Sequence, residues 1–311
     1  MREIKIPLDW RAYAVLEGAT KIASALVQKS IGDRLHTFGL GVTVSAVVGA
    51  VQAAGSVLWL SRYPHKERHA LLIPNYAAWW WMLGAGAGIA LFGTVLSIYT
   101  FALGAELGPR TLIVNSLLIW TAIAGFLVWK DPLGWRQWSG MALYVLCIWA
   151  MVDFQPLDAL LELPLWLFVS LAVALGNAWN YVCLRKAKDR GLTDPFAQSY
   201  WVGVWTATFC WLSAIIAYML GDESVAAGTP ELAALSALLG IIAIGVIAFI
   251  ALANVGGATT GLQNAIMQAV YLVGMWLIGM AFFDDPFTWE RLGGAMVFFP
   301  AVLLIGGGRK R

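Results

Sequence analysis

The sequence predicts an all-α membrane protein of ten transmembrane helices in two inverted five-helix repeats, residues 1–155 and 156–311. Three observations predict it. Of 311 residues, 60% are hydrophobic and only 12% charged, against roughly 25% charged in an ordinary soluble domain. Charged residues and turn formers cut the chain into apolar stretches of the length, about 20 residues, that a helix needs to cross the hydrocarbon core. Short motifs from one half recur in the other.

The spans are predicted near 12–33, 38–60, 76–103, 110–129, 136–152, 163–184, 196–220, 231–253, 258–282 and 289–307. In the first, Glu17, Thr20, Lys21, Ser24 and Gln28 fall on one helical face, and Val15, Leu16, Ile22, Ala23, Ala25 and Leu26 cover the rest. A polar stripe with an ionisable pair is costly in lipid. It predicts a helix facing a polar cavity; the alternative is an amphipathic helix lying on the membrane surface. The second span, 38–60, carries no charged residue. The third opens on Trp79, Trp80 and Trp81, which read as an interfacial belt, and continues with Gly84, Gly86 and Gly88, whose small size lets helices approach closely. Further along it carries Thr94, Ser97 and Thr100. The fourth offers Asn115, Ser116 and Trp120. The fifth follows Asp131-Pro132. The sixth places Ser170, Asn177 and Tyr181 on one face, with Asn180 at its edge. From Leu232 to Phe283 no charge occurs, and Asn254, Gly256, Gly257, Thr259, Thr260 and Gly261 supply the break between the eighth and ninth spans. In the ninth, Gln263, Asn264, Met267, Gln268, Tyr271 and Met275 share a broad face; amides donate and accept, which suits a polar or zwitterionic ligand.

Loop charges orient the chain. With the amino terminus inside, the inner loops hold Arg2, Lys5, Arg11, Arg62, Lys66, Arg68, Lys130, Arg136, Arg185, Lys186, Lys188, Arg190, Arg309, Lys310 and Arg311. The outer side holds only Lys29, Arg34, Arg110 and Arg291, together with Glu106, Asp153, Asp158, Glu162, Asp222, Glu223 and Glu231. This asymmetry predicts that both termini are cytoplasmic. Asp131-Pro132-Leu133-Gly134-Trp135 with Gly140 is matched by Asp285-Pro286-Phe287-Thr288-Trp289 with Gly294, and the segment from Gly32 to Phe38 parallels that from Asp189 to Phe196. Five spans per half is odd, so the halves insert in opposite senses, an arrangement used by secondary transporters with their site at the repeat interface.

Cys147, Cys183 and Cys210 lie in apolar segments and read as small hydrophobes. His36, His65 and His69 lie in or near loops and predict no metal site. No signal peptide or Asn-x-Ser/Thr sequon is expected.

On Lys130-Asp131-Pro132 leading to Gly140, and Asp284-Asp285-Pro286 leading to Gly294, the chain resembles the drug/metabolite transporter superfamily in its EamA-like branch. It departs from the family in carrying Asp where Glu is usual and in lacking an obvious proline within the fourth helix of either half. The resemblance implies transport by two sets of helices rocking about a cavity walled by spans 1, 3, 4, 6, 8 and 9. Members of that superfamily export amino acids and drugs, import choline-like compounds, or exchange sugar phosphates and nucleotide sugars.

The expected function is secondary transport of a small polar or amphipathic metabolite, amino-acid-like or amine-like, across a bacterial inner membrane, with proton-coupled export as one form. Glu17 is the coupling candidate, with Lys21 tuning it or meeting a carboxylate; a purely structural ion pair at the favourable i, i+4 spacing is the alternative. The substrate-binding candidates are Glu17, Lys21, Asn115, Trp120, Asn177, Tyr181, Gln263, Asn264, Gln268 and Tyr271. No cofactor or metal is expected and no nucleic-acid partner; the partners are a small-molecule substrate and the lipid bilayer, with a homodimer left open. A non-transporting partner subunit and an intramembrane lipid-modifying enzyme are the competing classes; the latter needs a cluster of His, Asp, Glu or Cys near one interface.

Overall fold

A computed structural model describes residues 9–65, 68, 72, 75–130, 132–151, 164–255, 260–285 and 288–306, with the backbone alone at 151, 251, 254–255, 260–265 and 306. The described residues are helical, with no strand. The long helices are α1 (Trp10–Gly32), α2 (Phe38–Leu60), α3 (Tyr76–Ala102), α4 (Leu107–Trp129), α5 (Trp135–Met151), α6 (Leu165–Asp189), α7 (Pro195–Met219), α8 (Pro230–Val255), α9 (Thr260–Phe282) and α10 (Trp289–Gly306). Six helices among the described residues are long and apolar enough to cross a membrane: α2, α3, α4, α6, α7 and the part of α8 from Pro230 to Ile250. Helix α1 carries Arg11, Glu17, Lys21 and Lys29. The predicted break between the eighth and ninth spans falls largely on residues 256–259, outside the described set.

Several helices begin where side chains satisfy their orphan N–H groups. Asp9 accepts from Arg11 N, Thr37 from Leu40 N, Asn75 from Ala78 N, and Asp194 from both Phe196 N and Ala197 N. Pro195 follows Asp194 at the first helical position, where a missing N–H costs nothing.

Two helices are irregular. Within α3, residues Ile89–Leu96 form a π-helical segment. Helix α4 is broken at Asn115 and Ser116 into Leu107–Val114 and Leu117–Trp129. At the break Ser116 N bonds to Ile113 O at 3.0 Å instead of to Leu112 O. The Leu112 carbonyl instead accepts from the buried Tyr144 hydroxyl of α5 at 2.9 Å. A freed carbonyl away from water needs such a partner.

Arg110 departs from its expected place at the outer end of the fourth span. Helix α4 starts at Leu107, so Arg110 lies in its first turn and is 1% exposed. Pro109 in that turn is compatible with an early start.

The packing pairs distant parts of the chain. Helix α1 lies against α8 and α9, while α6 lies against α3 and α4; α2 lies against α7 and α5 against α10. Where α2 meets α7, a Cβ on Gly49 would stand 2.8 Å from Gly203 O, and one on Gly203 would stand 2.8 Å from Gly49 O. Only glycine on both sides allows that approach. A Cβ on Gly140 would stand 2.8 Å from Ala301 O, which sets α5 on α10. Gly84, Gly86 and Gly88 admit bulky neighbours, Trp179 of α6 and Trp205 of α7. Of the three consecutive tryptophans, Trp80 is exposed, whereas Trp79 meets Trp205 edge-on and Trp81 faces Trp179. The outer surface is apolar, with Leu58, Leu127, Val145, Ile216, Leu277 and Leu303 exposed, while Glu17, Gln52, Arg110, Asn115 and Gln268 are buried. That reverses the arrangement of a soluble domain.

Candidate functional site

A cavity of about 160 Å3 lies among α1, α2, α3, α4, α6, α7, α8 and α9. Its polar lining is Lys21, Ser24 and Gln28 from α1, Gln52 from α2, Thr94 and Ser97 from α3, Arg110 and Asn115 from α4, and Asn177, Asn180 and Tyr181 from α6, with Tyr271 from α9. Helix α8 contributes only apolar groups: Leu239, Ala243, Val246, Ile247 and Ile250. The π-helical segment of α3 reaches the wall through Ile89, Gly93 and Thr94, and the break in α4 reaches it through Asn115. Irregular backbone at membrane depth is tolerated where it is buried in protein or lines a cavity.

On one side, Lys21 Nζ lies 2.9 Å from Glu17 Oε1 and donates to the Tyr181 hydroxyl at 3.0 Å; that hydroxyl donates to Glu17 Oε1 at 3.2 Å. The three groups form a closed triangle joining α1 to α6. Glu17 is 0% exposed and stands behind the wall, while the Lys21 side chain is 18% exposed and reaches it. Lys21 also sits 3.4 Å from Met267 Sδ of α9. Isolated, either charge would be prohibitively desolvated; together each satisfies the other.

On another side, Arg110 Nε donates to Thr100 Oγ1 at 2.7 Å, and Nη2 donates to Ser97 O at 2.9 Å and to Ser97 Oγ at 2.5 Å. Its guanidinium lies 4.2 Å from the Phe101 ring centre. These contacts tie α4 to α3 across their turn.

The predicted site residues therefore divide. Lys21, Asn115, Asn177, Tyr181 and Tyr271 line one cavity, and Glu17 is bonded to two of them. Trp120 and Gln268 are not on its wall: Trp120 packs with Tyr181 against Leu117, Ala174 and Ala178, and Gln268 is fully buried. The side chains of Gln263 and Asn264 lie outside the described residues. Arg110, Gln52 and Asn180 join the wall without having been candidates. The signal for Arg110 was Pro109, which marks a first helical turn. Among buried polar atoms, Asn115 Nδ2, Asn180 Oδ1 and both polar atoms of the Gln268 side chain have no hydrogen-bond partner among the described residues. Asn115 and Asn180 line the cavity, so a ligand there would meet an open donor and an open acceptor.

Fold and site together define an all-helical protein with the long apolar helices of an integral membrane protein. No family model matches the chain, and no curated protein matches it. A solved structure described only as "Crystal structure of protein" is similar in fold, with a TM-score of 0.60 at 13% identity, covering 97% of this chain and 100% of that one. At that identity the likeness concerns the fold alone.

Proposed function

We propose that the protein is a secondary transporter of a small polar or amphipathic metabolite, working by alternating access, with ten spans in two inverted repeats as in the drug/metabolite transporter superfamily. The observation that carries this reading is the Glu17–Lys21–Tyr181 triangle at the edge of a mixed polar and apolar cavity, drawn from the first helix of each half. Polar groups at this depth are costly, and a wettable passage is the setting that repays them.

Several features support the repeat. The pairing of α1 with α8 and α9 is answered by that of α6 with α3 and α4. Gly49 and Gly203 approach each other reciprocally. Lys130 and Asp284, one residue before the matched Asp-Pro motifs, both adopt left-handed backbone, with φ of 57° and 54°; among described non-glycine residues they alone have positive φ. The motif tryptophans, Trp135 and Trp289, are 72% and 76% exposed. Asp285 Oδ2 accepts from Gly108 N at 3.1 Å, capping α4 from the other half. Its counterpart Asp131 lies outside the described residues.

In this reading Glu17 couples transport to protons. A substrate that draws Lys21 away leaves Glu17 bonded to Tyr181 and able to take up a proton. The excess of basic residues in alternate loops supports both termini on the cytoplasmic side, and in this reading the chain belongs to a bacterial inner membrane. The test uses proteoliposomes containing a pH-sensitive dye, challenged with amino acids, quaternary amines, nucleosides and sugar phosphates. The expected result is a substrate-driven pH change with the unaltered protein and none with Glu17→Gln, which keeps an acceptor toward Lys21. Equal responses from both proteins would remove Glu17 from the mechanism.

A further inference from the structure

Resting on the transport reading, the balance of charge around the cavity narrows the substrate class. The two cations on the wall are neutralised differently. Lys21 has Glu17 at 2.9 Å. Among the described residues Arg110 has only neutral partners: the hydroxyls of Thr100 and Tyr271, and the carbonyl and hydroxyl of Ser97. No carboxylate is paired with Arg110 among the described residues. The nearest acid in sequence, Glu106, is bound instead by Arg291 of α10 at 2.5 Å. Neutral acceptors and the Phe101 ring hold a guanidinium in place but leave its charge uncancelled. With Arg110 1% exposed, that charge is shielded from bulk water, and the cavity wall contains no Asp or Glu among its described residues.

We infer that Arg110 is the anchor for an anionic group of the transported molecule, and that the substrate is a small monocarboxylate with an apolar tail. The bonds to Thr100 and Ser97 employ Nε and Nη2 and leave Nη1 outside them, and the Tyr271 hydroxyl is a further neutral partner of this guanidinium. A guanidinium whose plane is already locked loses little freedom on meeting a carboxylate. Asn115, on the same helix, has an unpartnered Nδ2 that can donate to the same ligand. The tail follows from α8, whose contribution is entirely aliphatic. The size follows from volume: a cavity of roughly 150 Å3 takes one benzene ring, and about 160 Å3 is present here.

The test is equilibrium binding to the full-length protein in detergent and chloride-free buffer, read by calorimetry. Its probes are benzoate against benzamide and benzylamine, and isovalerate against isovaleramide and isoamylamine. The carboxylates should bind at least about tenfold more tightly than their neutral and cationic partners, and Arg110→Gln should erase that preference. Should Arg110→Gln not fold, phenylglyoxal modification of Arg110 in the unaltered protein, read by mass spectrometry, takes its place; benzoate should protect and benzamide should not. Inorganic phosphate and vesicles of anionic lipid are run beside them, and a preference for either over benzoate would move the anion's source from a metabolite to phosphate or to the bilayer and overturn the monocarboxylate assignment. Equal binding of acid and amide, or a preference that survives Arg110→Gln, overturns the anchor. No gradient is involved, so failure here leaves the transport reading standing, while an anion preference without flux would remove transport and keep the site.

Discussion

The two cations of the cavity wall, Lys21 on α1 and Arg110 on α4, sit in the same space under different rules. Lys21 is held by an acid one turn away and a phenol from the opposite half. Arg110 is held by a hydroxyl and a serine of the neighbouring helix. The first arrangement is complete in itself and changes only when something competes for Lys21. The second is complete in geometry but not in charge. In the proposed transporter the contrast would separate two tasks, a switch that exchanges partners and an anchor that waits for one.

The largest effect expected on breaking this contrast is at Glu17. Glu17→Ala leaves Lys21 with no counter-charge and should cost about 3 kcal/mol of stability in chemical denaturation of the detergent-solubilised protein. Adding Lys21→Met to it should recover most of that loss. Arg110→Met should cost less, about 1–2 kcal/mol, because the groups it leaves keep bonds of their own: Thr100 Oγ1 donates to Ser97 O at 2.7 Å and Ser97 Oγ donates to Gln28 Oε1 at 2.8 Å. Its effect should fall instead on carboxylate binding. If Arg110→Met were the more destabilising of the two, the contrast between a self-neutralised and an open cation would be lost. The smallest change is Tyr181→Phe, which keeps the ring beside Lys21 and removes one hydroxyl; it should cost about 0.6 kcal/mol and at most about 1.7 kcal/mol, the average and the maximum for hydrogen bonds between membrane helices.

The helical class and much of the site were legible because both depend on local pattern. The low charge and long apolar stretches specified the helices, and the structure adds caps at Thr37, Asn75 and Asp194, close to three of the predicted starts. The stripes on α1 and α6 placed Lys21, Asn177 and Tyr181, because helical periodicity decides which residues share a face. The rest depended on where helices begin and break. Starting α4 three residues late put Arg110 at the outer end of its span instead of inside it. The break at Asn115 and Ser116 carries no glycine or proline; it rests on tertiary contacts such as the Tyr144 bond to Leu112 O. Trp120 and Gln268 share no wall with their predicted neighbours because an amide or indole serves packing and binding equally well, and only the position of the next helix decides between them.

The central claim is that the cavity between α1 and α6 is a passage open in turn to each side of the membrane. Asn177→Cys on the α6 wall tests it most directly, in a protein whose buried Cys147, Cys183 and Cys210 have been replaced by alanine. Reconstituted in vesicles and treated with a membrane-impermeant thiol reagent applied from one side or the other, this single position should be labelled from both. Labelling from neither side, or from one side alone under every condition, would make the cavity a packing seam or a blind pocket and contradict the account.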